Sequence, residues 1–370
     1  MGDYGRTNFY DGATPAVPPQ KSWSVTVAGL KVLKSNPRLQ HSSPVEYGGA
    51  LYVGSANNGF YAVNLNTGDE LWSFDSGSPI DSTPTVNEEM ACFGTTGGLF
   101  YCLDRVTGRE IFSFQANAEI LSSPIIKDGI VYFITADKRL YALNMKTGEK
   151  LWTYTHKTKS YVTSRLLSSP AASDDKLFVL FSDGVLVALD MERGRELWKR
   201  EMLTESVKAL KRGRRTPLYR DGLVYALDDA GRLIAMSAES GETKIVYDVA
   251  DTVDFAVSDD SVYIAGPIEL VSLDKATGET RWAKSSAKGE IASILATKRH
   301  VYAFSNKDFI PFDLEYLTTT WGYVQAYSVP KGTLQWTEKF GSTVTANASA
   351  IDGRIAVLID KGSLIVYADR

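Results

Sequence analysis

The chain has 370 residues, 44 % hydrophobic and 11 % aromatic, with a formal net charge of −4. That composition is ample for a large core, and the charge gives no bulk attraction to nucleic acid or to an anionic membrane surface. No apolar run reaches the roughly 18 residues of a membrane-spanning helix.

Met1-Gly2-Asp3-Tyr4 leads into a polar, Pro-rich stretch with no signal-peptide pattern. The Met-Gly start is read as standing in for a removed export signal. Residues 1–20 are expected to form a flexible extension, and residues 21–370 a single domain. Residues 21–27 hold a Trp in a strand-like pattern. The first full unit follows as four short strands, here lettered A to D. Residues 43–47 are strand A, turned by Gly48-Gly49 into strand B at 50–54. Asn57-Asn58-Gly59 turns B into strand C at 60–65, and Asn66-Thr67-Gly68 turns C into strand D at 70–74.

The unit repeats. A Gly closes a turn, and four residues later comes a large apolar residue: Gly68/Trp72, Gly108/Phe112, Gly148/Trp152, Gly194/Trp198, Gly241/Ile245, Gly278/Trp282 and Gly332/Trp336. Six residues before each Gly stands a small side chain (Ala62, Cys102, Ala142, Ala188, Ala235, Ser272, Ala326), which lets another sheet approach. Four before it stands a short polar one, from Asn64 to Ser328, suited to a turn. Repeats near 40 residues signal stacked supersecondary units. Four-stranded antiparallel units arranged radially form a β-propeller.

Seven units fill residues 42 to about 341. An eighth supplies strands A to C (355–358 and 363–368 being B and C) and stops where D is due. The Trp-bearing strand at 21–27 is therefore expected to complete the last blade. The fold class is all-β, an eight-bladed propeller closed by its N-terminal strand, which removes two open sheet edges.

The long connections are 28–41, 155–168 and 199–215, between strand D and the next A, and 305–323, between B and C. All four map to one face of the disc, and loops on a rigid scaffold carry binding. The 199–215 link concentrates Lys208, Lys211, Arg212, Arg214 and Arg215. The 305–323 insertion carries Phe312, Tyr316 and Trp321, residue types favoured in interface cores. Burial of the aromatics on their own blade is the competing reading.

Catalytic constellations are missing. His41, His156 and His300 have no metal-ligand spacing, and there is no CxxC. Gly-Thr-Thr-Gly-Gly at 94–98 has no following helix, so a phosphate-loop reading is weak. Acidic pairs such as Asp174-Asp175 and Asp259-Asp260 fit turns better than acid–base chemistry. Cys92 and Cys102 fall on the two arms of one hairpin. Two buried thiols are the favoured reading, a cross-strand disulfide the other.

The string Tyr141-Ala142-Leu143-Asn144-Met145-Lys146-Thr147-Gly148-Glu149-Lys150-Leu151-Trp152 resembles the tryptophan-docking motif of quinoprotein-like propellers. It recurs with Ala188, Gly194 and Trp198, and with Ser272, Gly278 and Trp282. The resemblance implies that each Trp packs over the neighbouring blade's turn. Within that superfamily the chain is similar to the BamB family of outer-membrane β-barrel assembly. The blade count, the lack of further domains, and Val253-Asp254-Phe255-Ala256-Val257 leading to Val262-Tyr263-Ile264 carry this likeness.

The resemblance implies a non-enzymatic periplasmic scaffold, monomeric and without cofactor or metal. It would be held to the outer membrane by a lipid anchor lying outside this sequence, with no nucleic-acid partner. Its partner would be the periplasmic domains of a BamA-type barrel component, and unfolded outer-membrane proteins are a further candidate. In that family an Arg before strand A of blade four takes part in docking. Arg165 stands there, with Val162 and Ser164 where the family has apolar contacts. The next link is acidic in family members and carries Arg212 and Arg214 here. The superfamily's quinone-dependent dehydrogenases need adjacent cysteines and a calcium site, for which no residues match. A sensor or adhesion propeller with another protein ligand is the other alternative.

Overall fold

The computed structural model describes residues 9–15, 18–27, 39–157, 168–202, 216–249, 251–309, 319–351 and 353–369. Among these residues every regular element is a β-strand, and the strands form eight sheets. Blade one runs Val45–Tyr47, Ala50–Gly54, Gly59–Asn64 and Glu70–Asp75, each strand antiparallel to the next. The fourth strand is the most exposed in each blade, so it lies at the rim and strand A lies inward.

Blade eight joins the two ends of the chain. Its inner strands are Ser349–Ile351, Arg354–Ile359 and Ser363–Ala368. The outer strand is Gln20–Thr26, with Trp23 opposite Val366 and Thr26 opposite Ser363. The expected closure is present, shifted by one residue toward the N-terminus.

There is no single core. Eight apolar clusters each join two neighbouring blades. This follows from strand periodicity, because successive side chains point to opposite faces. On strand B of blade three, Val131 and Phe133 face blade two, and Tyr132 and Ile134 face blade four. Phe133 stacks on Phe100 at a centroid distance of 4.4 Å.

The Trp–Gly pairs lock these interfaces. Trp72 sits directly opposite Ala62, whose small side chain leaves room for the indole. The indole then lies over Gly108 of blade two, where a Cβ would come within 2.6 Å of the ring. Gly108 also has φ +70°, a conformation that suits glycine. Trp72 Nε1 donates to Arg105 O at 3.1 Å. The same arrangement joins Trp23 to Gly68 and Leu65 O, closing the ring between blades eight and one. The turns are fixed from within: Asn144 Oδ1 accepts from the amides of Lys146 and Thr147, and Gly148 N–H donates to Asn144 O.

A second set of hydrogen bonds runs between strand-A starts. The amide of Ser43 donates to Thr83 Oγ1, that of Thr83 to Ser123 Oγ, that of Ser123 to Ser169 Oγ and that of Ser169 to Thr216 Oγ1. Each of these hydroxyl residues precedes a proline, Pro44 through Pro217. The recurring Ser/Thr-Pro pair thus couples blades as well as opening a strand.

Of the two readings of the cysteines, the structure takes the second. Cys92 and Cys102 are direct cross-strand partners, buried and joined as a disulfide. Their Cα atoms are 4.2 Å apart, the separation of a non-hydrogen-bonded antiparallel pair, which is the register a bridge can span.

Within the N-terminal extension, Phe9–Tyr10 pairs in parallel with Ala296 and Thr297 of the inner strand of blade seven, Glu290–Thr297. Asp11 reaches Lys298 at 2.9 Å, and Ala13 O accepts from Gly353 N–H of blade eight at 2.8 Å. The Phe9 ring lies 5.2 Å from the Arg220 guanidinium of blade five.

Candidate functional site

The face bearing the long links is built on the B–C turns. Six of these turns place a residue at positive φ: Asn58, Gly98, Lys138, Gly184, Gly231 and Gly362. Lys138 is the only long side chain in that set. Its ammonium is buried, 3.8 Å from Asp183 Oδ2 and without a hydrogen-bond partner. His156, just past strand D of blade three, bonds Asp183 Oδ2 through Nε2 at 2.8 Å and stacks on Phe181 at 4.3 Å.

The B–C turn of blade four thereby holds the stems of both long links. Asp183 takes the His156 ring, and Gly184 O accepts from Met202 N–H at 2.8 Å. Asp229 N–H in turn donates to Met202 O at 3.1 Å. Beside that second stem is a recess of about 170 Å³ lined by Arg200, Asp228, Asp229 and Arg232. Asp228 and Arg232 pair across it at 2.8 Å.

Blade seven adds a projecting hairpin. Its middle strands, His300–Phe309 and Thr319–Ser328, have ten residues each, twice the five of Ala50–Gly54. They remain in register out to the Phe309–Thr319 pair. Phe309 is 58 % exposed at the tip of the described part. Trp321 is half-buried, with Lys339 Nζ 3.4 Å from its ring centroid, so the amine covers the indole as a cation–π partner.

Of the residues expected to meet a partner, only Trp321 lies within the described residues. Val162, Ser164, Arg165, Lys208, Lys211, Arg212, Arg214, Arg215, Phe312 and Tyr316 lie outside them. What the structure places is the stems of their segments, all on the B–C side of the disc. The sequence reading missed Asp183 and Gly184, which join two of those stems. The Gly184–Met202 bond ends the C–D ladder of blade four itself, whereas the Asp183–His156 contact crosses a blade boundary and a turn Asp in one blade carries no signal of it.

Among the described residues no group of three or more His, Cys, Asp or Glu side chains is arranged to hold a metal. His300 bonds Gln335 Oε1 at 2.9 Å, and burial pushes its pKa down. Asp260 and Asp274 both bind Arg281, at 2.9 and 2.8 Å, and the guanidinium holds Asp274 down at about 2. These acidic groups act as turn and edge partners.

The family model described as outer membrane protein assembly factor BamB matches residues 19–98, 91–284 and 249–369. The chain belongs to the BamB family. No protein of curated function matches it in sequence. BamB from Moraxella catarrhalis is similar in structure, with a TM-score of 0.77 and 17 % identity over 95 % of this chain and 99 % of that one. Quinohemoprotein alcohol dehydrogenase from Comamonas testosteroni has a TM-score of 0.76 at 12 % identity, over 99 % of this chain and 79 % of that one. A europium-containing methanol dehydrogenase has 0.75 at 11 %, over 100 % and 97 %. At these identities the structural likenesses establish the propeller, and BamB membership rests on the family model.

Proposed function

We propose that this BamB-family chain is a non-enzymatic scaffold of the outer-membrane β-barrel assembly machinery. Its loop-bearing face docks on the periplasmic domains of the barrel-forming component, and a lipid anchor ties it to the outer membrane. The observation that carries the reading is the family match, which runs through all eight blades. The buried Cys92–Cys102 disulfide supports an oxidising compartment such as the periplasm. The shared B–C turn of blade four supports joint action of the two basic links, because His156 and Met202 fix both stems to one rigid element.

On this reading Arg165, with Lys208, Lys211, Arg212, Arg214 and Arg215, meets acidic groups of the partner. Trp321, with Phe312 and Tyr316 of the same insertion, adds apolar contact. Opposite charges steer such association and make it weaken with salt. The test is a pull-down with the soluble periplasmic domains of the barrel component. Reversing Arg165 and Arg212 together (Arg165→Glu, Arg212→Glu) should reduce capture at least tenfold. Undiminished capture at low and moderate salt would refute the assignment.

A further inference from the structure

The rim of the disc is not uniform. The outer strands of blades two and three, Glu110–Gln115 and Lys150–Thr155, carry no charge after their first residue. Every other outer strand does: Lys21, Asp75, Lys199, Lys244, Lys284 and Lys339 each stand within one. Charged side chains, lysine above all, are the usual means of keeping an edge strand from pairing with another chain. Two adjacent blades lack that protection beyond the first residue of the strand.

Their edges are also open. Ala116 N–H donates to Gly98 O at 2.8 Å and His156 N–H to Lys138 O at 3.1 Å, closing the end of each C–D ladder. Inward and outward groups alternate along an antiparallel strand. Ser113 and Gln115, and likewise Thr153 and Thr155, therefore turn N–H and C=O away from the blade, where no further strand of the described residues stands. The side chains of these four residues are exposed. On the opposite face of the same strands, Phe112, Phe114, Trp152 and Tyr154 are half-buried against the next blade.

We propose that the outer edges of blades two and three accept an extended, uncharged segment of another polypeptide as a fifth strand. The unpaired backbone groups define the occupant as a strand. The side-chain pattern defines its chemistry. Residues on one face of the added strand continue the apolar row of Phe112–Phe114 or Trp152–Tyr154. Those on the other face lie in solvent beside Ser113 or Thr153. The segment thus alternates apolar and hydroxyl-bearing side chains, its main chain supplying the hydrogen bonds and its alternate side chains the specificity. The fold already uses this mode on itself: Gln20–Thr26 adds to the outer edge of Ser363–Ala368 from the far end of the chain.

This inference does not depend on docking of the loop-bearing face, and its test contains no barrel component. The probe is a fluorescent synthetic peptide alternating threonine with valine or tyrosine, titrated into the full chain and read by anisotropy. Saturable binding is expected. The double variant Ser113→Lys, Thr153→Lys places a charge on each exposed edge and should weaken binding at least fivefold, while Thr337→Lys on blade seven leaves it unchanged. A peptide N-methylated at alternate residues should bind at least fivefold more weakly. Circular dichroism of each variant checks that the propeller is intact. Absence of binding, equal affinity of the double variant, or equal affinity of the N-methylated peptide would each overturn the proposal. So would a concentration-dependent dimer that the double variant abolishes, since the edges would then serve a second copy of this chain.

Discussion

Tyr247 Oη donates a 2.7 Å hydrogen bond to the carbonyl oxygen of Lys275. In other interfaces the equivalent carbonyl, one residue past the short polar turn residue, is taken by an indole. Trp72 takes Arg105 O, Trp152 takes Met191 O, Trp198 takes Ala238 O and Trp282 takes Val329 O. Blade five has Ile245 where those have Trp. Its strand Thr243–Tyr247 supplies the donor two residues later, from a buried phenol whose pKa burial pushes up to about 12.

Tyr247→Phe should therefore cost more than the removal of an exposed hydroxyl. It leaves the Lys275 carbonyl without its partner at the blade five–six interface, a loss of about 1–2 kcal/mol. Urea unfolding should show a lower midpoint with an unchanged slope. An unchanged midpoint would mean that the bond contributes nothing net.

Closure of the ring makes the N-terminal strand a stability element of the whole domain. Removing residues 1–27 strips blade eight of its outer strand and takes the Trp23 indole from Gly68 and Leu65. A single cooperative transition at lower temperature is expected. Trp23→Ala alone should cost about 3 kcal/mol, the lower end for a tryptophan because its ring is only half-buried. An unaltered melting temperature after the truncation would rule out closure by this strand.

The disulfide closes a hairpin of separation 10 within blade two. A loop of that length constrains the unfolded chain by about 2–3 kcal/mol. Cys92→Ala, Cys102→Ala should still fold, because the small column that holds Cys102 is Ala at five of the other repeats, including Ala62 and Ala142. Its melting temperature should fall, and the wild-type chain denatured without reductant should show no alkylatable thiol by mass spectrometry.

His300 gives the domain a defined acid response. Its Nε2–H donates to Gln335 Oε1, Tyr302 Oη lies 3.4 Å from Nδ1, and Arg299 disfavours a second positive charge. Burial is the main cause of its lowered pKa in the folded chain. The unfolded chain thus takes up the proton first, so the contribution is complete above about pH 6.5 and is lost as pH falls through that unfolded value. His300→Gln should make the melting temperature fall less between about pH 7.5 and about pH 5 than in the wild type. Parallel curves for the two proteins would assign the acid response to other groups.

Much of this was legible in the residues. The Gly–Trp spacing, the small column opposite each Trp and the short polar turn residue are local patterns, and each acts within one hairpin. The missing strand D of the last unit pointed to the Trp23 segment, because each of the other units has a fourth strand and residues 21–27 carry that pattern outside any unit. The choice between thiols and disulfide at Cys92 and Cys102 was harder. It depends on whether the two residues face each other in a non-hydrogen-bonded pair, and the period alone leaves that register open. The candidate docking residues were legible only as types on links. Trp321 is the one whose environment is described, and its cover by Lys339 comes from strand D.

The amino-acid sequence by itself determined the blade, its repetition and the closing of the ring, because hairpin geometry and two-residue periodicity are set by neighbours along the chain. Only the tertiary structure decided which side chains meet across a blade boundary: Tyr247 with Lys275, His156 with Asp183, Phe9 with Arg220. Those distances come from the angle and spacing of packed sheets around the axis. They are a property of all eight interfaces together, which no single repeat encodes.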